Sequence, residues 1–491
     1  MNIQPLSSCN QEISFQLSEY MEDLSKCGYF NGAVLVARHG QILLRQGYGM
    51  ANFEHEVRNS SSTKFRIGSI AKSFTAVAIL QLQEKKMLHV NDCIGTYLPN
   101  YPNGSIITIH HLLSHSSGIP DFTSFADYWG TTMKLFSPLE ETMRLFRDRP
   151  LEFEPGEDWR YTSSSYILLS AIIEKVSGVT YGAYISNNIC CPLGMNDTGV
   201  EEGRTILKHF ASGYSVCKDI IPAEYVDMSL HLGAGGMYST VEDLYLWDRT
   251  LYTDTLVGQA SRDMMFSEYT PYCGSYGWVV GSMLINHKSR KRIGHVGSMN
   301  GFVAYMNRYT DDDLVVITLS NISMTPIGII NDHLAKIALG ESLEGPKPVS
   351  PIQVEMNEMQ RYVGVYVFEG DMGCTRSIKG NTRNLIERIA TMDAGSISVG
   401  RFYKLFDEYG IDNRSSMIVT CEQKRLYLFM PKNHGAWFKY ELVPIARQIH
   451  STVWIAKNID EKIVFNIEQN GSIRLIHTDV QGIDRIASQV K

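Results

Sequence analysis

Two strand-like pairs at opposite ends of the first 340 residues constrain the fold more than any other feature of this chain. Residues 33–49, AVLVARHGQILLRQGYG, are two β-rich runs around His39-Gly40 and read as a hairpin. The second pair is 302–307 (FVAYMN), a polar turn at 308–313, and 314–321 (LVVITLSN). Between them the pattern is helical. Residues 71–82, AKSFTAVAILQL, are apolar almost all round, which marks a buried helix. Leu168, Leu169, Ile172, Ile173 and Val176 recur at helical spacing over 164–177, and Gly178 stands where a helix stops. Residues 240–251 predict a further helix, capped by Thr240 or Ser239, with Glu242 and Asp243 in its first turn. The expected fold is α+β: an antiparallel sheet drawn from both ends of this region, flanked by helices, with a helical subdomain between.

At 340–352 the chain reads GESLEGPKPVSPI, a Gly/Pro/Ser-rich linker. Beyond it come short alternating runs such as YVGVYVF, MIVTCEQKRLYLFMP, WFKYELVP and STVWIAK, the texture of a small barrel or sandwich. A chain of 491 residues exceeds what one core supports. The expected division is therefore 1–345, a linker at 346–352, and an all-β unit at 353–491.

Composition excludes several functions. The net charge of −7 leaves no basic footprint for nucleic acid. No run is long and apolar enough to span a membrane, and the N-terminus lacks the charged and apolar regions of a secretory signal. The cytoplasm is the expected location. Nine cysteines without a C-x-x-C pair read as reduced thiols, and the N-x-S/T triplets at Asn59, Asn103 and Asn196 then read as chance.

Three segments carry chemistry. In Phe65-Arg-Ile-Gly-Ser69-Ile-Ala-Lys72, a serine at a helix start lies where backbone N–H groups favour negative charge. Lys72 falls on the same helical face, in apolar surroundings that lower an ammonium pKa towards neutrality. By itself such a pair is common. Tyr161, just ahead of the 164–177 helix, is a candidate proton shuttle if its phenol pKa is depressed, and Ser163 is a good N-cap. In Gly294-His295-Val-Gly297-Ser298, glycines beside a strand let another backbone or a substrate approach closely.

Taken in order, these segments resemble the serine β-lactamase and penicillin-binding-protein-like superfamily, in particular its class-C-like branch of D-aminopeptidases, alkaline D-peptidases and esterases. Ser-x-x-Lys, Tyr-x-Asn and Lys/His-x-Gly match Ser69/Lys72, Tyr161 and His295/Gly297. The segments at 112–121 (LLSHSSGIPD) and 233–243 (GAGGMYSTVED) resemble two further stretches of that branch. The resemblance implies a serine hydrolase that forms an acyl-enzyme on Ser69. Lys72 and Tyr161 would move the proton, and the N–H groups of Ser69 and Ser298 would bind the oxyanion. His295 would join Ser69, Lys72 and Tyr161 as a catalytic, site-lining residue, and Ser163, Gly297 and Ser298 would bind the substrate.

Two departures narrow the reading. Ser163 stands where the family carries asparagine, a shorter group with fewer partners. His295 replaces the lysine that pairs with a substrate carboxylate, and a neutral imidazole anchors a carboxylate poorly. Both favour a peptidase, amidase or esterase over an efficient β-lactamase, with D-residue peptides or small esters as candidate substrates. An acyltransferase or peptide cyclase using the same acyl-enzyme is one alternative, and a non-catalytic penicillin-binding-like sensor another. No metal or cofactor is expected: His110, His111 and His115 belong to a segment resembling the family's own, with no nearby carboxylate to complete a zinc site. Residues 353–491 resemble the lipocalin-like barrel appended to such hydrolases, and Tyr362, Tyr366, Phe368, Tyr427, Phe429, Trp437, Phe438 and Trp454 read as its core. This unit is a candidate cover for the active site or surface for homo-oligomer assembly. The partner expected is a small-molecule or peptide substrate, with neither nucleic acid nor membrane.

Overall fold

The structure, a computed structural model, describes residues 7–490 apart from 204, 270–273, 370–381, 393–404, 406–407, 410–415 and 432–436. Helix α1 (Ser8–Lys26) leads into the hairpin of β1 (Gly32–Arg38) and β2 (Gln41–Tyr48). The helical region follows, with α2 (Ala71–Glu84) and α3 (Ser163–Ser177) at its centre. A short hairpin, β3 (Tyr214–Cys217) and β4 (Asp219–Pro222), precedes α4 (Val241–Thr250). Strands β5 (Val279–Ile285), β6 (Lys288–Met299), β7 (Phe302–Tyr309) and β8 (Leu314–Ser320) then return the chain to the sheet, and α5 (Ile327–Ala338) closes the region.

The sheet has the order β5-β6-β7-β8-β1-β2, antiparallel throughout. The two ends of the region meet at its centre, where β1 pairs β8 from Gly32↔Ser320 to Arg38↔Leu314. One face is covered by α1 and α5, whose Leu17, Met21, Ile330 and Leu334 pack on Val34, Val36 and Val316. The other faces the helical region, where every side chain of α2 from Ala71 to Leu82 is buried. Phe74 stacks on Trp247 of α4, ring centroids 4.0 Å apart. Burying each such aromatic or aliphatic side chain stabilises the fold by roughly 1.5–3 kcal/mol, which is enough to hold a polar residue such as Lys72 in the same helix out of water.

Helix α6 (Met356–Tyr362) and strand β9 (Gly364–Phe368) open the C-terminal region, and α7 (Thr382–Ala390) follows. The remaining strands are β10 (Ser416–Glu422), β11 (Arg425–Pro431), β12 (Trp437–Arg447), β13 (Ser451–Ala456), β14 (Lys462–Ile467), β15 (Ile473–Thr478) and β16 (Asp484–Gln489). They run β11-β10-β9-β16-β15-β14-β13-β12, and pairing of β11 with β12 closes an eight-stranded barrel. Alternate residues fill it, among them Tyr366, Met417, Leu428, Tyr440, Trp454, Phe465 and Leu475, as a barrel this small requires. Tyr362, Phe368, Tyr427 and Phe438 are buried as well. Phe429 packs outward against α7, and the side chain of Trp437 lies outside the described residues.

Several local expectations change. Ser163 is not the cap of α3; that is Thr162, which keeps extended backbone and accepts from Ser164 N, while Ser163 is already helical. Arg308 is not in a turn: it lies in β7, fully buried, with Nε 2.6 Å from Asp248 Oδ1. The segment holding His295 is itself a strand, β6. Residues 341–355 carry no helix or strand, yet they are laid along the body: Cys27 Sγ donates to Pro346 O, and Ile352 N to Pro444 O. The hairpin β3–β4, unmarked in the sequence reading, extends the barrel's sheet through β12, with Lys439 opposite Cys217.

Candidate active site

Ser69 lies in a single tight turn, Gly68–Ile70, that runs directly into α2. Strand β6 passes across this turn backbone to backbone. A Cβ on Gly297 would fall 1.8 Å from Ile67 O, and one on Gly68, which has φ +49°, would fall 2.6 Å from Ser298 N. Only glycines permit that approach, so the Lys/His-x-Gly segment brings the peptide of Ser298 beside the serine. Among these buried neighbours, Ser69 retains accessible surface.

Lys72 is fully buried one turn along α2. Its Nζ donates to Ser69 Oγ at 3.1 Å and to Ala234 O at 2.6 Å, and it lies over the rings of Tyr161 (4.8 Å) and Tyr166 (5.5 Å). Burial lowers its pKa from 10.5 to about 7, and the more distant Asp121 carboxylate opposes the shift. Lys72 therefore has oxygen acceptors and ring faces around it but, among the described residues, no carboxylate in salt-bridge contact.

Tyr161 hydrogen-bonds to Ser69, and that bond favours its ionised form. Burial outweighs it, so the phenol is pushed above its ordinary range rather than below it. This corrects the expectation of a depressed tyrosine: the low-dielectric pocket that makes Lys72 a better base makes Tyr161 a weaker acid.

His295 projects from β6, its ring centroid 6.1 Å from that of Tyr161. Its Nδ1 lies 2.6 Å from Val296 O, which assigns the ring proton to Nδ1 and leaves Nε2 as an acceptor. Burial first, and then the Lys72 charge, lower its pKa to about 4. His231 nearby is lowered to about 3, again mainly by burial. Both imidazoles are neutral at pH 7, which leaves Lys72 as the group poised to titrate there.

Ser69, Lys72, Tyr161 and His295 thus converge on one spot, with Gly297 and Ser298 flanking the serine. Ser163 begins α3 beside Tyr161, half-buried, and its hydroxyl has no hydrogen-bond partner among the described residues. The sequence reading did not assign a place here to His115, Tyr166 or the carbonyl of Ala234. The imidazole of His115 lies 4.4 Å from the Tyr161 ring and 5.2 Å from that of Tyr166. The neighbouring histidines are engaged elsewhere: His110 Nδ1 meets Tyr276 Oη at 2.6 Å, and His111 Nδ1 accepts from Thr108 N. Among the described residues no three His, Cys, Asp or Glu side chains are grouped to hold a metal.

The family model "Beta-lactamase" matches residues 17–339. The chain belongs to the β-lactamase family. Penicillin-binding protein 4* of Bacillus subtilis (strain 168) is 33% identical over 325 residues, covering 62% of this chain and 71% of that protein. The octameric penicillin-binding protein homologue from Pyrococcus abyssi has a TM-score of 0.60 at 23% identity, over 97% of this chain and 100% of that one. The D-amino acid amidase of Ochrobactrum anthropi SV3 has a TM-score of 0.58 at 21% identity, over 67% of this chain and 98% of that one. The last two likenesses concern fold, and the first of them extends through the barrel. Family membership places the chain in the β-lactamase and penicillin-binding-protein-like superfamily of serine hydrolases. No helix among the described residues is long and apolar enough to cross a membrane.

Proposed function

We propose that this protein cleaves an amide or ester through an acyl-enzyme on Ser69, with Lys72 as the base. The observation that carries the reading is the Ser69 Oγ held 3.1 Å from an amine that burial brings to a pKa of about 7. Ser69 Oγ bonds to the substrate's acyl carbon as its proton passes to the neutral Lys72 amine, directly or through the Tyr161 hydroxyl. The N–H groups of Ser69 and Ser298 receive the oxyanion, fixed in place before charge develops. The C–N or C–O bond then breaks, and the leaving group takes up the proton that Lys72 accepted. Water repeats the sequence to release the acid.

Tyr161 serves as a neutral hydroxyl relay rather than as a phenolate, because burial opposes its ionisation. The neutral His295 gives a substrate carboxylate no positive anchor. This supports peptides containing D-residues, other amides or small esters as substrates over efficient β-lactam turnover. An amine or alcohol in place of water would turn the same acyl-enzyme to transfer.

The test is labelling with a fluorophosphonate and, separately, with a fluorescent penicillin, followed by mass spectrometry. Ser69 is expected to carry the phosphonate and to react slowly or not at all with the penicillin. Absence of any adduct on Ser69 from either reagent would overturn the enzyme reading in favour of a binding or sensor protein.

The seven cysteines among the described residues are all free thiols, which supports a reducing, cytoplasmic setting. The octamer formed by the Pyrococcus abyssi homologue, whose likeness includes the barrel, supports assembly of this chain into a homo-oligomer. Light scattering that returned the mass of a single chain would exclude it.

A further inference from the structure

His115 belongs to the LLSHSSG segment, which the chemistry above leaves without a task. It grips the chain on both sides of Tyr161. Its carbonyl accepts from Arg160 N at 3.0 Å, and its Nδ1 accepts from Thr162 N at 3.2 Å. Its ring lies against Tyr161 with centroids 4.4 Å apart and planes 32° apart, and against Tyr166 at 5.2 Å and 35°. The residue is buried and sits at φ +59°, a left-handed backbone that costs a non-glycine residue roughly 1 kcal/mol or more and persists where surrounding contacts impose it. Tyr166, whose hydroxyl donates to Leu113 O at 2.9 Å, backs the imidazole from the other side.

We propose that His115 is the positioning residue of the Ser69 proton relay, holding the 160–162 peptides and the Tyr161 ring so that the phenol oxygen stays on Ser69. The inference rests on the reading of Ser69 as nucleophile and Tyr161 as relay. Both halves of the imidazole are used. The δ nitrogen must be an unprotonated acceptor for Thr162 N–H, and the flat ring must lie against Tyr161. Burial, with the Lys72 charge adding, keeps the imidazole neutral, so that acceptor remains available. Serine or threonine is too short to do both, and lysine or arginine offers no acceptor.

The experiment is a double-substitution cycle read by the rate of fluorophosphonate labelling at Ser69 in the full chain. H115N keeps an acceptor at the δ position and loses the ring, whereas H115F keeps the ring and loses the acceptor. Each is made in the parent and in Y161F, with thermal melts reporting the folded fraction; should H115F not fold, H115N carries the test. Each substitution is expected to slow labelling about tenfold or more in the parent and to change it by less than about twofold in Y161F, because its effect passes through the phenol. The pH midpoint of labelling, set by Lys72, stays where it is. Equal slowing in both backgrounds, or unchanged rates in the parent, would overturn the inference while leaving the acyl-enzyme reading intact. An unlabelled parent, or Y161F labelling as fast as the parent, would remove the reading on which it stands.

Discussion

Lys72 and Lys439 are both fully buried, and their surroundings treat the charge in opposite ways. Lys439 lies between the barrel wall and α7. It pairs with Glu422 at 2.6 Å, donates to Ile389 O at the end of α7 at 2.9 Å, and lies over the ring of Tyr427. Burial lowers its pKa too, but the Glu422 carboxylate opposes that loss directly. Lys218 of the β3–β4 hairpin joins the same carboxylate, so one acid ties two regions together. Lys72 has a serine, a carbonyl and two ring faces instead. A buried ammonium beside a carboxylate is a fastener; one left with dipoles alone becomes a base.

The widest separation between the two is expected in Lys72→Met. Ser69 labelling should fall by about 10³-fold or more, while the protein becomes more stable at pH 6 by about 2 kcal/mol. The sign follows from the folded pKa of about 7 against 10.5. Between those values the unfolded chain binds the additional proton, so the parent carries its full penalty below pH 7 and sheds it as pH rises towards 10.5. Thermal melts from pH 6 to 10 should show a slope in the parent that the variant lacks; a destabilised Lys72→Met would break the contrast. Tyr161→Phe should slow labelling by about 10²-fold with little change in melting, and an unchanged rate would remove the tyrosine from the relay. Lys439→Met should do the reverse, lowering stability by about 2–4 kcal/mol in denaturant titrations and leaving the labelling rate of folded protein unchanged. The mildest effect is that of acidity. Labelling should fall about tenfold for each pH unit below 7 and level off above it, because Lys72 must be neutral to accept the proton. A rate flat from pH 5 to 9 would assign the base elsewhere.

How much of this was legible depended on how local its cause is. Strands β1, β2, β7 and β8, helices α2, α3 and α4, and most barrel strands follow from apolar periodicity and turn residues, and the sequence carries those directly. The spacing of Ser69 and Lys72 on one helical face was legible for the same reason. Helix α1 was overlooked although Ile13, Leu17, Tyr20, Met21 and Leu24 recur on one side of it. Strand β6 hid behind the charged run Lys288-Ser-Arg-Lys-Arg292, whose backbone pairs with β5 before the strand continues from Ile293 against β7. Long-range terms were out of reach. Nothing near Tyr161 in the chain reveals that its pocket raises the phenol pKa, and nothing near His115 says that its ring meets a residue 46 positions on. The pairing of β3 with β12 likewise joins segments more than 200 residues apart.

That last pairing sets how the molecule comes apart. The hairpin departs from the chain between α3 and α4, yet Tyr214 and Val216, with Ile322 and Met324, share one apolar cluster with Tyr362 of α6 and with Tyr440 and Trp454 of the barrel. The segment at 341–355 is therefore a tether and not the joint. A protease that nicked it would leave two polypeptides still clasped at the hairpin, and the barrel would withdraw only if that seam opened.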